Sequence, residues 1–223
     1  MAPYSRSCWE KRTALRRGFL TFSAGIGTQA LPLATLGYEV VARDLSEGAI
    51  RRLQREARKR GLRIDAAASD VRNVGETVTG QFSGVISMDN SVPHLLTDSE
   101  IVTALRRLRG LLSPGGVLLV SVRDYSKVDR TPRSSHPYGI RMRAGDTFRL
   151  SQEWEWYDDS RYRTTMVVEL QKQDAWEEVV RTEAAYYAIS ISRLLELMRE
   201  AGLDASRVDD SHFFQPVLCG RAS

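Results

Sequence analysis

The sequence predicts an α/β domain: a doubly wound, Rossmann-like parallel sheet with a small antiparallel β lid inserted after its fifth strand. Three observations predict it. Short apolar runs alternate with helical stretches through the first half of the chain, the pattern of a parallel sheet covered on both faces. A glycine turn, Gly25-Ile26-Gly27, directly follows the first of these runs. Beyond Val122 the pattern changes to longer segments in which aromatic and polar residues alternate, as antiparallel strands require.

The elements follow in order. Phe19 to Phe22 reads as the first strand, and a helix runs from about Thr28 to Leu36. Pro32 costs that helix a backbone hydrogen bond unless it lies in the first turn. Tyr38 to Ala42 is the second strand, and Ser46 caps a charged helix that reaches Arg60. Arg63 to Ala68 is a weaker third strand and Phe82 to Met88 a fourth. Asp98 to Leu112 is helical, and the β-branched run Val117 to Val122 is the fifth strand. Residues 123 to 146, rich in Arg, Ser, Pro and Gly, read as a long loop. Phe148–Tyr157, Tyr162–Gln171 and Glu177–Tyr187 are the lid strands, with Trp154, Trp156, Tyr186 and Tyr187 as lid packing. A helix from Ser190 to Ala201 stops at Gly202, and Phe213 to Cys219 is the last strand. All 223 residues read as one domain: a core at 18–122, the lid at 123–187, and a final helix and strand at 188–223.

Composition narrows the class. With 42% hydrophobic and 27% charged residues the chain is too apolar for disorder. No apolar run approaches the roughly 20 residues of a membrane span. The first residues carry several arginines and no signal-like apolar stretch, so the expectation is a cytoplasmic protein without membrane association. A net charge of +4 is weak support for nucleic-acid binding. The arginines between Arg51 and Arg60 have interleaved acids and helical spacing, which fits a solvated helix face. Cys8 and Cys219 lack CxxC spacing and read as reduced thiols, and the isolated histidines give no metal-ligand pattern.

The chemistry concentrates at the carboxyl ends of the strands. In Gly25-Ile26-Gly27-Thr28-Gln29-Ala30, Gly25 permits a tight turn, Gly27 lets a ligand approach the backbone, and Ala30 allows close helix–strand packing. Asp44, ending the second strand, can accept hydrogen bonds from both hydroxyls of a ribose. Asp70 ends the third strand within reach of an adenine amino group, and Met88-Asp89-Asn90-Ser91-Val92-Pro93-His94 leaves the fourth as a polar cluster. NAD-binding folds share the turn and the acid. Asp70, the cluster after strand four and Ser113-Pro114-Gly115-Gly116 favour S-adenosylmethionine instead.

Together with Asp-Leu-Ser at 44–46, Asp-Asn-Ser-Val-Pro-His-Leu-Leu at 89–96 and Val-Arg-Asp-Tyr at 122–125, these segments resemble the class I S-adenosylmethionine-dependent methyltransferases. Within them the chain looks most like the glycine/sarcosine N-methyltransferase group. The resemblance runs from about residue 18 to the C-terminus and implies N-methylation of a small amino acid. It implies that Ser23, Ala24, Gly25 and Gly27 hold the methionine part of the cofactor, Asp44 and Leu45 the ribose, and Asp70 and Val71 the adenine. Met88 and His94 join the cofactor residues. Asn90 would face the methyl group, with Ser91 and His94 beside it. Arg123 and Tyr125 would complete the acceptor site, the Arg123 fork holding a carboxylate; no metal is implied.

Two departures qualify the resemblance. Thr21 stands where relatives carry a first-strand acid, and the segment before the first strand, with Tyr4 and Trp9, looks truncated or unrelated. Both lead to an expectation of weaker cofactor binding. The rival readings are an O-methyltransferase of another small metabolite, an NAD-linked enzyme, and an inactive cofactor-binding protein. A nucleic-acid methyltransferase fits poorly, because Asn90-Ser91-Val92-Pro93 offers no aromatic platform. Oligomeric state is not legible.

Overall fold

The computed structural model describes residues 18–208 and 213–222. Cys8, Tyr4, Trp9 and the basic residues ahead of the first strand lie outside the described residues.

The strands are β1 (Gly18–Phe22), β2 (Glu39–Asp44), β3 (Asp65–Ala68), β4 (Phe82–Ser87), β5 (Leu112–Ser121), β6 (Arg133–Arg143), β7 (Asp146–Trp156), β8 (Arg161–Lys172), β9 (Ala175–Tyr187), β10 (Leu203–Val208) and β11 (Val217–Ala222). The helices are α1 (Ala30–Thr35), α2 (Glu47–Lys59), α3 (Val74–Thr77), α4 (Asp98–Gly110) and α5 (Ile191–Glu200). Seven strands form one sheet in the order β10-β11-β5-β4-β1-β2-β3. β1 pairs in parallel with both β2 and β4, β2 with β3 and β4 with β5, while β10 and β11 run antiparallel at one side. Strand order reverses between β1 and β4, and ligands of open α/β sheets bind at the carboxyl side of such a point.

Alternation along the strands covers both faces. Val40 and Ala42 pack with Ile50, Leu53 and Ala57 of α2, whereas Val41 packs into the larger cluster that includes α4 and α5 residues such as Leu105 and Leu194. α2 is capped as expected, with the Ser46 hydroxyl accepting from the Ala49 amide. Its arginines are solvated and paired along the helix, as in Arg51 with Glu47. Pro32 falls within the first turn of α1, where its missing amide costs nothing.

Four strands form a separate antiparallel sheet in the order β6-β7-β8-β9. Three were expected. β6 occupies much of the segment read as a loop, and β10, also unexpected, precedes the last strand, which begins at Val217 rather than Phe213. Strand β5 likewise starts earlier than expected, at Leu112.

Candidate functional site

Three consecutive turns of unusual backbone build the edge of the site. Ser23, Gly25 and Gly27 all have positive φ, at 54°, 53° and 98°. The two glycines serve different ends. A Cβ on Gly25 would meet nothing within 4 Å, so this position opens onto space that a ligand can enter. A Cβ on Gly27 would lie 2.3 Å from Leu53 Cδ1. Gly27 therefore lets α2 pack against the turn, and the expected role in ligand approach belongs to Gly25 alone. Ala24 is buried, and its amide donates to the Arg43 carbonyl at 3.0 Å, fixing the turn to β2.

Asp44 faces this turn. Its Oδ2 accepts from the Gly25 amide at 2.8 Å and its Oδ1 from the Ser46 amide at 2.7 Å. Two main-chain donors thus fix the carboxylate, and each oxygen keeps a lone pair for a further donor. It lines a cleft of about 650 Å³ together with Ser23, Leu45, Asp70, Val71, Ser91 and His94, under Ala184 and Ala185 of β9. Leu45 is 73% exposed and presents an apolar surface there. That volume is in the range of small-molecule and cofactor sites. Open space at Gly25 beside a preset carboxylate acceptor fits a nucleoside-bearing cofactor.

Asp70 is more fully engaged than the sequence suggested. Both its oxygens accept from the Arg72 guanidinium, at 2.6–3.1 Å, and Oδ1 also accepts from the Arg72 amide. The Arg72 side-chain bond is the largest cause holding its carboxyl below the usual range. Arg72 also reaches Glu100 of α4 at 3.1 Å, so this carboxylate ties β3 to α4 as well as lining the cleft.

His94 closes a 3₁₀ turn, Val92–His94, after β4. Its ring lies 4.2 Å from that of Tyr186 in β9. Desolvation by its neighbours is the largest influence and lowers its pKa; a bond to the Ala185 carbonyl and the Asp44 charge oppose the shift. Met88 does not line the cleft. Its carbonyl accepts from the Ser91 hydroxyl, which shapes the turn.

The three residues expected at the acceptor, Asn90, Arg123 and Tyr125, do not line this cleft. Asn90 is buried, with φ 61°, and both ends of its amide are used internally. Nδ2 donates to Tyr125 Oη at 2.8 Å, and Oδ1 accepts from the Arg123 amide at 2.9 Å. Asn90 therefore fixes the chain after β5. Tyr125 is also buried, its hydroxyl 2.9 Å from that of Tyr162. Burial is the main cause raising the pKa of both phenols, which stay neutral hydrogen-bonding groups.

Arg123 leaves this knot for a second pocket, of about 480 Å³, lined also by Lys127, Asp129, His136, Tyr138, Gln152 and Trp154. Its guanidinium lies 4.5 Å over Trp154, and Nη1 is 3.4 Å from Tyr162 Oη. Tyr162 was not singled out in the sequence. Only its place in an alternating aromatic strand signals it.

Comparison with known proteins follows the same lines. Residues 19–116 match the family model described as a methyltransferase domain. The chain is 29% identical over 130 residues to a glycine/sarcosine N-methyltransferase of Halorhodospira halochloris, covering 58% of this chain and 48% of that protein. It is 34% identical over 118 residues to a ubiquinone biosynthesis O-methyltransferase of Dinoroseobacter shibae, covering 52% and 42%. The chain spans about half the length of the curated relatives it matches. Among solved structures, its fold is similar to that of the S-adenosylmethionine-bound amino pentose methyltransferase CalS10 of Micromonospora echinaspora. The TM-score is 0.75 at 15% identity, covering 93% of this chain and 84% of that one.

Proposed function

We propose that this chain, a member of the class I S-adenosylmethionine-dependent methyltransferases, methylates a small acceptor that carries a carboxylate. The acceptor class is that of glycine and sarcosine, amines recognised through an acid. The observation that carries this reading is Arg123: half-buried in a cavity, held over Trp154, and without a carboxylate within 4 Å among the described residues. Arg149 and Arg163 of the second sheet, by contrast, are paired with Glu169 and Glu155. A half-buried guanidinium with no carboxylate within 4 Å among the described residues can take an external one, and its planar fork suits a carboxylate.

The chain's own residues supply position. Asp44 would accept from the ribose hydroxyls, and Gly25 would leave room for the cofactor beside the backbone. S-adenosylmethionine would supply a sulfonium-bound methyl, open to displacement by the acceptor's lone pair with the carbon–sulfur pair returning to sulfur and a proton leaving to solvent. Asn90 holds the Arg123 backbone, while Tyr162 and Trp154 aim its guanidinium. The antiparallel sheet acts as a lid on the cofactor side, with Ala184 and Ala185 over the cleft.

The test is methyl transfer to carboxylate-bearing amines against the same amines without the carboxylate. Arg123→Lys keeps the charge and loses the fork, so KM for the acid rises while cofactor affinity is unchanged. Equal rates with and without the carboxylate contradict the anchor.

A further inference from the structure

The second sheet has two unlike faces. Registered partners in an antiparallel pair share a face, so β6 to β9 sort row by row. One face holds the ion pairs: Arg133 and Arg163 with Glu155, Arg149 with Glu169, and Arg181 with Glu153 and Glu178. The other face carries Trp154, Tyr162 and Tyr186 at one end, where they join the main core. At its far end stand Phe148, Leu150, Met166, Val168, Leu170 and Val180. These side chains are half-exposed or exposed and belong to neither buried cluster. An apolar sheet face calls for a covering layer.

The register says which layer fits. One row crosses the sheet as Arg141, Phe148, Leu170 and Glu177, and the next as Gly139, Leu150, Val168 and Val180. Arg141 and Glu177 sit on the two edge strands, both exposed, and neither has an oppositely charged group within 4 Å among the described residues. Sheets stack face to face about 10 Å apart with their strands nearly aligned. A two-fold axis along the strands, between β7 and β8, brings β6 over the partner's β9 and keeps each row at its own level. Arg141 then stands over the partner's Glu177, on both sides of the axis, with the apolar rows between. The alternative axis, across the strands, sets β6 over β6 and like charge over like charge.

We propose that the uncovered half of this face is a dimer interface. Two copies of the chain stack their second sheets about a two-fold axis parallel to the strands, Arg141 of each against Glu177 of the other. The exposed Ile140 and Met142 lie on the opposite face, so edge-to-edge pairing through β6 is the competing arrangement, and Met142 separates the two.

Sedimentation equilibrium of the full chain tests it. The wild type is expected to dimerise at micromolar concentration. Leu150→Lys and Val168→Lys are expected to be monomeric with unchanged far-UV circular dichroism, because neither side chain belongs to the buried core. Arg141→Glu or Glu177→Arg alone sets like charges together twice per dimer and is expected to weaken association about tenfold or more. Combining Arg141→Glu with Glu177→Arg reverses both pairs and is expected to recover wild-type association, which loss of a merely structural contact would not do. Met142→Lys is expected to leave the dimer intact. A wild type that stays monomeric up to about 0.1 mM overturns the interface. A dimer that survives Leu150→Lys, or is lost in Met142→Lys, overturns the choice of face. Charge reversals that weaken association singly and fail to recover it together overturn the two-fold arrangement.

Discussion

Each residue at the cleft edge answers one local demand, and the demands are separable by substitution. Gly25→Ala introduces strain at φ 53° but no clash, whereas Gly27→Ala drives a methyl to 2.3 Å from Leu53 Cδ1 at φ 98°. Gly27→Ala is expected to lose about 1–3 kcal/mol of stability by overpacking. Gly25→Ala is expected to lose less stability and proportionally more cofactor affinity. Urea denaturation paired with cofactor titration checks both. Thr21 is a further residue-scale case. It is buried, and its hydroxyl has no hydrogen-bond partner among the described residues. Thr21→Val removes an unpaired polar group, and denaturation is expected to show unchanged or slightly higher stability, by up to about 1 kcal/mol. Thr21 stands where the resemblance implies an acid; at this buried position Thr21→Asp is expected to be destabilising, because burying a carboxylate costs more than burying a hydroxyl. His94 titrates below its ordinary value of 6.5 because its neighbours desolvate it. Between the folded and unfolded values only the unfolded chain holds the proton, so His94 makes stability rise with pH across that window. His94→Gln is expected to flatten the slope, and denaturation curves between about pH 5 and about pH 7 check it.

Elements were legible where packing dictated their sequence. β1, β4 and the later part of β5 are largely buried and carry mostly apolar residues, and α2 carries its cap and its charged face openly. β6 failed for the opposite reason. It is an edge strand with a solvated face, so Arg133-Ser134-Ser135-His136 looks like a loop, and Pro137 and Gly139 flank a register shift that an edge tolerates. β10 is short and pairs only with β11, giving little burial to mark it. Ser46 lies where element and site meet, capping α2 while its amide steadies Asp44. Ser46→Ala removes the hydroxyl and keeps the amide. It is expected to cost about 1 kcal/mol of stability and to change cofactor affinity far less than Asp44→Ala does; thermal melts beside titrations separate the two.

At the scale of the molecule, the convergence of residues around Asp44 was legible and the surroundings of Arg123 were not, for one physical reason. Ser23, Gly25 and Asp44 converge through adjacent parallel strands, so strand order alone brings them together at the reversal between β1 and β4. The Arg123 guanidinium depends on Trp154 of β7 and Tyr162 of β8, and no spacing within the chain encodes those contacts. The glycine turn and the strand order put Gly25 and Asp44 at one edge of the sheet, where we propose the cofactor binds. That assignment is tested most directly by calorimetric titration of S-adenosylhomocysteine into the wild type and Asp44→Ala. The expected result is one site in the wild type, weakened by about 1–3 kcal/mol in the variant as charge-assisted hydrogen bonds go unmade. No binding to the wild type, or equal affinity in Asp44→Ala, would contradict it.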